Sequence, residues 1–304
     1  AKEKARDIAN YIESLDKDMS VEDVQDVVEA KLMASNRKDV AKAYIIYRND
    51  RNRVREQNSN VIKKVMKRVN ASDVENANAN VDERSFSGRE KEASADIGKT
   101  IALEYGGLSS EVAQAHIDML NYQHDLEKAI YGEHNCLNLD FGEIFTYGFK
   151  TRNGDVRPPA SFSTACQLVA VAFQCQSQVQ FGGVGTVHLD RDLAPFVKKS
   201  FRKHIKNYFT DVQYYSDETA TMLMDGFEKE HGEICIDNLE LQSMSGYPDA
   251  YNYAMKQLER EGKQSSEALY HNLNTLESRA GSQVPFTSIN FGRDTSTEGK
   301  LVQK

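Results

Sequence analysis

The sequence has no long apolar run. No stretch approaches the roughly 20 consecutive apolar residues of a membrane-spanning helix, and the N-terminus, Ala1-Lys2-Glu3-Lys4, carries no apolar core of the signal-peptide kind. Cysteine is also scarce. Cys136, Cys166, Cys175 and Cys235 are the four in 304 residues, and no two form a CxxC pair. This argues against a disulfide framework, offers no metal-ligand set, and predicts a reducing, cytoplasmic setting. Nor is there a surplus of positive charge. With 38 Lys and Arg against 46 Asp and Glu, the net charge of −8 argues against a general nucleic-acid binder. Small nucleotides, which need only local positive charge, stay open. What is there, 39% hydrophobic and 28% charged residues, can build a core. The length exceeds the usual single core and predicts two units or one large α/β unit.

Both ends look interrupted. Ile8, Tyr11, Ile12 and Leu15 recur at helical spacing with no capping residue ahead of them, and Leu301-Val302-Gln303-Lys304 brings no terminating element. The expectation is a piece of a longer polypeptide. Residues 1–57 read as three helices. The second lies behind a capping box of Ser20 and Asp23, with Val24, Val27, Val28 and Leu32 as its stripe. The third carries Val40, Ala43, Tyr44 and Tyr47. Residues 58–108 read as a helical and polar connector, with Asn-Ala-Asn-Ala-Asn at 76–80 and a short basic helix over 62–69.

Residues 109–304 read as one α/β part. A longer helical stretch from Ser109 turns Val112, Met119 and Leu120 inward and delivers His124-Asp125 ahead of a strand over Glu133–Asp140. There Cys136, Asn138 and Asp140 alternate with Leu137, Leu139 and Phe141, a polar, thiol-bearing face against an apolar one. Taken alone, Cys136 reads as a buried structural cysteine or a reactive one, and His124 as a satisfied core histidine or a site residue. Arg157-Pro158-Pro159 then stops the chain before a helix over 161–178 that lacks any charged residue. Such a helix is buried or laid against a partner helix, and free N–H groups at its start would favour an anion.

Phe181–His188 reads as a glycine-rich strand open to close approach, matching neither a P-loop nor a dinucleotide fingerprint. A helix from about Asp192 to Phe209 has a core face of Leu193, Phe196, Val197, Phe201 and Ile205. Its outer side carries Lys198, Lys199, Arg202, Lys203 and Lys206, either a solvated face or a triphosphate clamp. Residues 211–280 are acidic and helical, broken at Ser245-Gly246-Tyr247-Pro248, and Gln283–Gly292 reads as the last strand. This order predicts parallel strands joined by helical crossovers.

Four stretches carry a resemblance through their order and spacing. They are His124-Asp125-Leu126 leading to Asn135-Cys136, and Pro159-Ala-Ser-Phe-Ser-Thr-Ala165. The others are Phe181-Gly182-Gly183 through Leu189-Asp190-Arg191-Asp192-Leu193-Ala194-Pro195-Phe196, and Gln283-Val-Pro-Phe-Thr-Ser-Ile-Asn-Phe-Gly292. Together they resemble the N-terminal part of the anaerobic (class III) ribonucleoside-triphosphate reductases. Residues 19–56, with Ala43-Tyr44-Ile45-Ile46-Tyr47-Arg48-Asn49-Asp50-Arg51, resemble the second half of that family's regulatory ATP-cone.

The resemblance implies an α/β fold, the first part of a ten-stranded glycyl-radical-type barrel behind a partial helical ATP-cone. It implies that Cys136 is the family's second active-site cysteine, acting at the 2′-carbon. His124, Asp125, Asn135, Gly182 and Gly183 are then expected around substrate. Ser163, Thr164 and Gln167 are expected to face a deoxynucleotide effector at a two-fold homodimer interface, with Arg202 and Lys203 on its phosphates. Gln25 and Arg48 are expected in a cone that takes ATP or dATP. A glycyl radical made by a separate radical-SAM activase, a zinc site and formate as reductant complete what the family implies. The sequence departs from the pattern in carrying no finger-loop cysteine, no Arg-Val-x-Gly-Tyr glycyl motif, no paired CxxC and no Lys-Arg-Asp-Gly cone strand. Two other readings remain at this point: a non-catalytic nucleotide-sensing module, and a glycyl-radical enzyme of the formate-lyase type.

Overall fold

A computed structural model describes residues 2–70, 81 and 84–304. The chain divides into two compact units, Ala1–Lys67 and Arg68–Lys304. The Asn-rich stretch at 76–80 lies outside the described residues.

The first unit is helical: α1 (Lys2–Glu13), α2 (Val21–Met33) and most of α3 (Lys38–Val69). The expected capping box opens α2. Ser20 Oγ accepts from the Asp23 amide at 3.1 Å and Asp23 Oδ2 from the Ser20 amide at 2.9 Å, a device that contributes about 1 kcal/mol. On α3 the inward positions are Ala41, Tyr44, Ile45 and Arg48, while Val40, Ala43 and Tyr47 face out. With no Gly or Pro between Lys38 and Val69, nothing stops this helix. The basic helix expected over 62–69 is therefore its last two turns rather than a separate element.

The second unit opens with α4 (Phe86–Glu104) and α5 (Ser110–Ile117), N-capped by Ser85 and Ser109. Helix α5 ends sooner than its sequence suggests. The amides of Leu120 and Asn121 both turn back to the Ala115 carbonyl, and Met119 takes a φ of 59°. Met119 and Leu120, expected inward, are thus 80% and 82% exposed, and Val112 is exposed as well.

Three strands form a parallel sheet in the order β1 (Leu137–Asn138), β4 (Val184–Thr186), β5 (Thr287–Ile289). Leu137 pairs with Val184, which pairs with Thr287. The parallel arrangement and both glycine-bearing and Gln283–Gly292 strands agree with the sequence pattern, although each strand is shorter than its alternating stretch. Between β1 and β4 lie elements that the pattern concealed. Asp140 caps a short α6 (Phe141–Tyr147) by accepting from the Glu143 amide, so Asp140 and Phe141 leave the strand. A hairpin of β2 (Phe149–Thr151) and β3 (Gly154–Val156) follows, and then α7 (Phe162–Ser177).

Between β4 and β5 run α8 (Leu189–Asn207) with a π-helical end at Tyr208–Val212, α9 (Asp217–His231), α10 (Leu239–Ser243) and α11 (Pro248–Thr275). The last element is α12 (Thr297–Gln303), where no terminating element was expected. The core lies where α7, α8 and α11 pack together. Phe162, Val169, Phe173, Leu193, Phe201, Ile205 and Leu258 are each at most 2% exposed. The whole core face expected for α8 is buried. Aromatic edges lock α6 to it, with Phe141 on Phe173 and Phe145 on Phe196 at centroid distances of 5.5 and 5.0 Å. Leu137, Leu139 and Ile289 turn the apolar side of the sheet onto this core, which leaves its polar side open.

One buried carboxylate ties the strand exits together. Asp190, fully buried at the start of α8, accepts through Oδ2 from the amides of Gly292, Arg293 and Asp294 and from Gln303 Nε2, at 2.7–3.0 Å. Burial pushes its pKa up, but these donors more than offset that and hold the group at about 2.

Candidate active site

The open side of the sheet carries the thiol. Cys136 is exposed, against the buried structural alternative. Its Sγ donates to Asn135 Oδ1 and accepts from the Gly183 amide, each at 3.3 Å. Beside it a hollow of about 330 Å³ is lined by Cys136, Asn138, Gly183, Gly185, Phe286 and Ser288, among others. Glycine is needed at 182, just ahead of β4, and at 185 within it. A Cβ on Gly182 would stand 2.4 Å from Asn135 Oδ1, and one on Gly185 2.5 Å from Asn138 Oδ1. Asn135 and Asn138 therefore lie close against the backbone at Gly182 and Gly185. Of the other cysteines, Cys166 is buried, and burial pushes its thiol up to about 12. That leaves it inert in the core.

Of the residues expected around substrate, Gly183 lines this hollow with Cys136, while Asn135, bonded to the thiol, and Gly182, packed on Asn135, adjoin it without lining it. His124 and Asp125 do not line this hollow. His124 is largely exposed, not a core histidine, and its ring pairs with the Asp125 carboxylate. Asp125, in the left-handed region at φ 50°, lies on the wall of a neighbouring cavity of about 550 Å³. Phe286 borders both spaces.

A third cavity, about 540 Å³, brings Ser163, Gln167 and Lys203 together with His204 and Glu261, between α7, α8 and α11. Thr164 is exposed at the start of α7 but not on this wall. Arg202 is on another wall altogether. Its Nε and Nη2 donate to Glu228 at 2.9 Å, and Nη2 reaches Asp225 at 3.2 Å. Lys198 is matched to Glu233 at 2.6 Å and Lys206 to Asp217 at 2.9 Å. Of the five cations expected to clamp a triphosphate, only Lys203 faces the cavity.

The start of α7 differs from expectation too. Its amides are spent: Phe162 donates to Ser200 Oγ at 2.9 Å, Ser163 to Glu261 Oε1 at 3.0 Å and Thr164 to Ser161 Oγ at 3.3 Å. Glu261 also accepts from Ser200 Oγ and His204 Nε2. Burial pushes Glu261 up, but the bonds from His204, the Ser163 amide and Ser200 outweigh it and hold its pKa at about 2. A carboxylate of the fold itself already sits where an anion was expected. Sequence reading missed Glu261 because it lies 98 residues from the amide it caps. It also missed the buried Arg279, whose setting depends on residues far off in the chain.

In the helical unit Gln25 and Arg48 meet directly. Arg48 Nε donates to Gln25 Oε1 at 3.1 Å, and its other nitrogens pair with Asp26 at 2.6 Å and Glu29 at 2.9 Å. Among the described residues no group of three or more His, Cys, Asp or Glu could hold a metal ion, and no helix is long and apolar enough to cross a membrane.

A helical unit, followed by an α/β unit in which an exposed thiol directly precedes the first parallel strand, defines a mixed helix–sheet protein. Residues 77–304 match the family described as anaerobic ribonucleoside-triphosphate reductase, and residues 1–53 match the ATP cone domain. The chain belongs to the anaerobic ribonucleoside-triphosphate reductase family, as the four stretches implied. It is 31% identical over 291 residues to the anaerobic ribonucleoside-triphosphate reductase of Escherichia coli (strain K12), covering 94% of this chain and 36% of that protein. With the protein of the same name from Salmonella typhimurium it shares 30% over 290 residues, covering 94% and 35%. With that of Enterobacteria phage T4 it shares 26% over 233 residues, covering 76% and 32%. The chain spans about a third of the length of these curated relatives.

Proposed function

We propose that this chain is the N-terminal part of an enzyme that reduces ribonucleoside triphosphates to deoxyribonucleoside triphosphates without oxygen. Residues 1–57 form part of the ATP-cone, 58–108 the connector, and 109–304 the first part of a ten-stranded barrel to which β1, β4 and β5 contribute. The observation that carries this reading is the exposed Cys136 thiol on the polar face of a family-matched sheet. A thiol suits the task because its S–H bond is weak enough to give up hydrogen at the 2′-carbon as the 2′-hydroxyl leaves as water. Asn135 orients that thiol by accepting from it, the Gly183 amide holds the sulfur, and Gly182 and Gly185 make room for the Asn135 and Asn138 side chains beside it. His124 and Asp125 would shape the approach from the neighbouring cavity.

The glycyl radical supplies the starting radical in such an enzyme, made by a radical-SAM activase. Formate restores the reducing equivalents, and the zinc site belongs to other residues. Alkylation of Cys136 by iodoacetamide in the full-length enzyme, followed by mass spectrometry, tests the site. A ribonucleoside triphosphate should slow it by roughly tenfold if substrate sits over the thiol, and unchanged alkylation would remove Cys136 from the substrate pocket.

Allosteric control is assigned to two places. The cone, with Gln25 and Arg48, takes ATP or dATP once the Arg48 contacts rearrange. The exposed face of α7, where Ser163, Thr164 and Gln167 stand clear of the core, pairs with its copy in a homodimer. A deoxynucleoside triphosphate at that edge would meet Lys203, with Arg202 released from Glu228 as a second contact. Lys203→Ala should weaken effector binding about tenfold, the value of one charge-assisted contact, without lowering the melting temperature. Equal effector affinity in this variant places the effector elsewhere.

A further inference from the structure

We infer that the cavity walled by Lys91, Lys128 and Arg279 is a seat for a phosphate-type oxyanion. This rests on and deepens the reductase reading, since the cavity is the one beside the Cys136 hollow from which His124 and Asp125 would shape the approach, but its test below does not depend on the thiol. Arg279 is only 8% exposed, and among the described residues its Nη1 has no hydrogen-bond partner. Nη2 donates to the Phe181 carbonyl, and the guanidinium lies 4.3 Å over the Phe286 ring. Two sides of this cation are thus engaged, and the unpartnered nitrogen belongs to a residue that lines the cavity. A buried donor without an acceptor costs free energy that a bound anion recovers.

Lys91 is the second cation. Its Nζ donates to Gln283 Oε1, and among the described residues it has no ion pair. The loop 279–283 is wrapped on its stem. Arg279 N donates to the Gln283 carbonyl at 3.1 Å, Gly281 takes a φ of +85°, and a Cβ there would stand 2.5 Å from Lys91 Cδ. Burial first, and then the charges of Arg279 and Lys128, bring the Lys91 pKa down to about 8, against the pull of Glu92 and Glu127. Like charges held together in this way are the setting an oxyanion relieves.

The wall also carries carboxylates, but most are engaged. Glu133 holds Lys128 at 3.1 Å, Glu127 faces Lys99 at 3.8 Å, Glu92 faces Arg68 at 4.0 Å, and Asp125 pairs with His124. Glu90 is exposed at the rim. Arg279 and Lys91 are the pair left for a ligand, and guanidinium with ammonium is the donor set that phosphate oxygens take up. The cavity, about 550 Å³, has room for a group attached to the phosphate.

The test uses the full-length enzyme with inorganic phosphate as the probe. Calorimetric titration should show binding, and Lys91→Gln and Arg279→Lys should each weaken it by about tenfold or more. Should either variant fail to fold, acetylation of Lys91 in the unaltered enzyme, followed by mass spectrometry, reads the same site, and saturating phosphate should slow it about tenfold. Protection by a nucleoside triphosphate but not by its nucleoside supports a seat for the phosphate end of a larger ligand. Protection by inorganic phosphate alone supports a free anion. No protection by either, or unchanged affinity in both folded variants, overturns the inference.

Discussion

A full-length enzyme carrying Cys136→Ser is expected to fold, accept its radical and make no deoxyribonucleotide. The substitution is nearly silent for structure. Cys136 is exposed, and its two contacts are bonds that a hydroxyl also makes: one donated to Asn135 Oδ1, one accepted from the Gly183 amide. The stability change should stay within about 0.5 kcal/mol. For the proposed chemistry the change is complete, since an O–H bond is too strong to give up its hydrogen at the 2′-carbon. Turnover should fall by roughly 10³-fold or more, a barrier increase of about 4 kcal/mol. Product assay under anaerobic conditions, beside a thermal melt and a radical signal of normal size, separates the two consequences. A well-folded, radical-bearing variant that turns over near the rate of the parent would take Cys136 out of the reaction.

The features legible in the sequence were those with short-range causes. The capping box at Ser20 and Asp23, the uncharged α7 behind Pro158-Pro159, and the buried face of α8 all follow from residues within a turn or two of one another. The thiol-bearing row was legible too, because alternation within one strand sets the face of Cys136 and Asn138. Where a local signal competed with another, the cap won: Asp140 continued the alternation but starts α6 instead. What lay out of reach depended on distant partners. Arg202 looks free on its own helix, and only the fold brings Glu228 and Asp225 to it. Ala172 looks like part of the interface of α7, yet its side faces the core while Ser163, Thr164 and Gln167 do not. Lys91 and Gln283 are 192 residues apart, so no window over the sequence could have joined them.

The same long-range logic makes Asp190 the position whose loss should cost the fold most. Its Oδ2 gathers three consecutive amides, from Gly292 to Asp294, and the Gln303 amide group, which ties the exit of β5 and helix α12 to the start of α8. A carboxylate held at about 2, against an ordinary value near 4, contributes on the order of 2 kcal/mol. The sign is that of a depressed acid. The contribution is fully present above pH ~4 and is lost as the pH falls through about 2. Asp190→Asn keeps one acceptor oxygen among the four donors but removes the charge, and its amide nitrogen takes the place of Oδ1, which has no partner among the described residues. It should therefore lose about 2 kcal/mol at pH 7 by urea denaturation. Asp190→Ala, which leaves every donor without its acceptor, should lose about 3 kcal/mol or more and free α12 to exchange its amide hydrogens early. Because the parent's own carboxylate becomes neutral in acid, the gap between parent and Asp190→Asn should close as the pH is lowered toward 2. A gap of constant size from pH 7 to pH 3 would mean that charge at Asp190 does not hold the strand exits together, and that shape alone does.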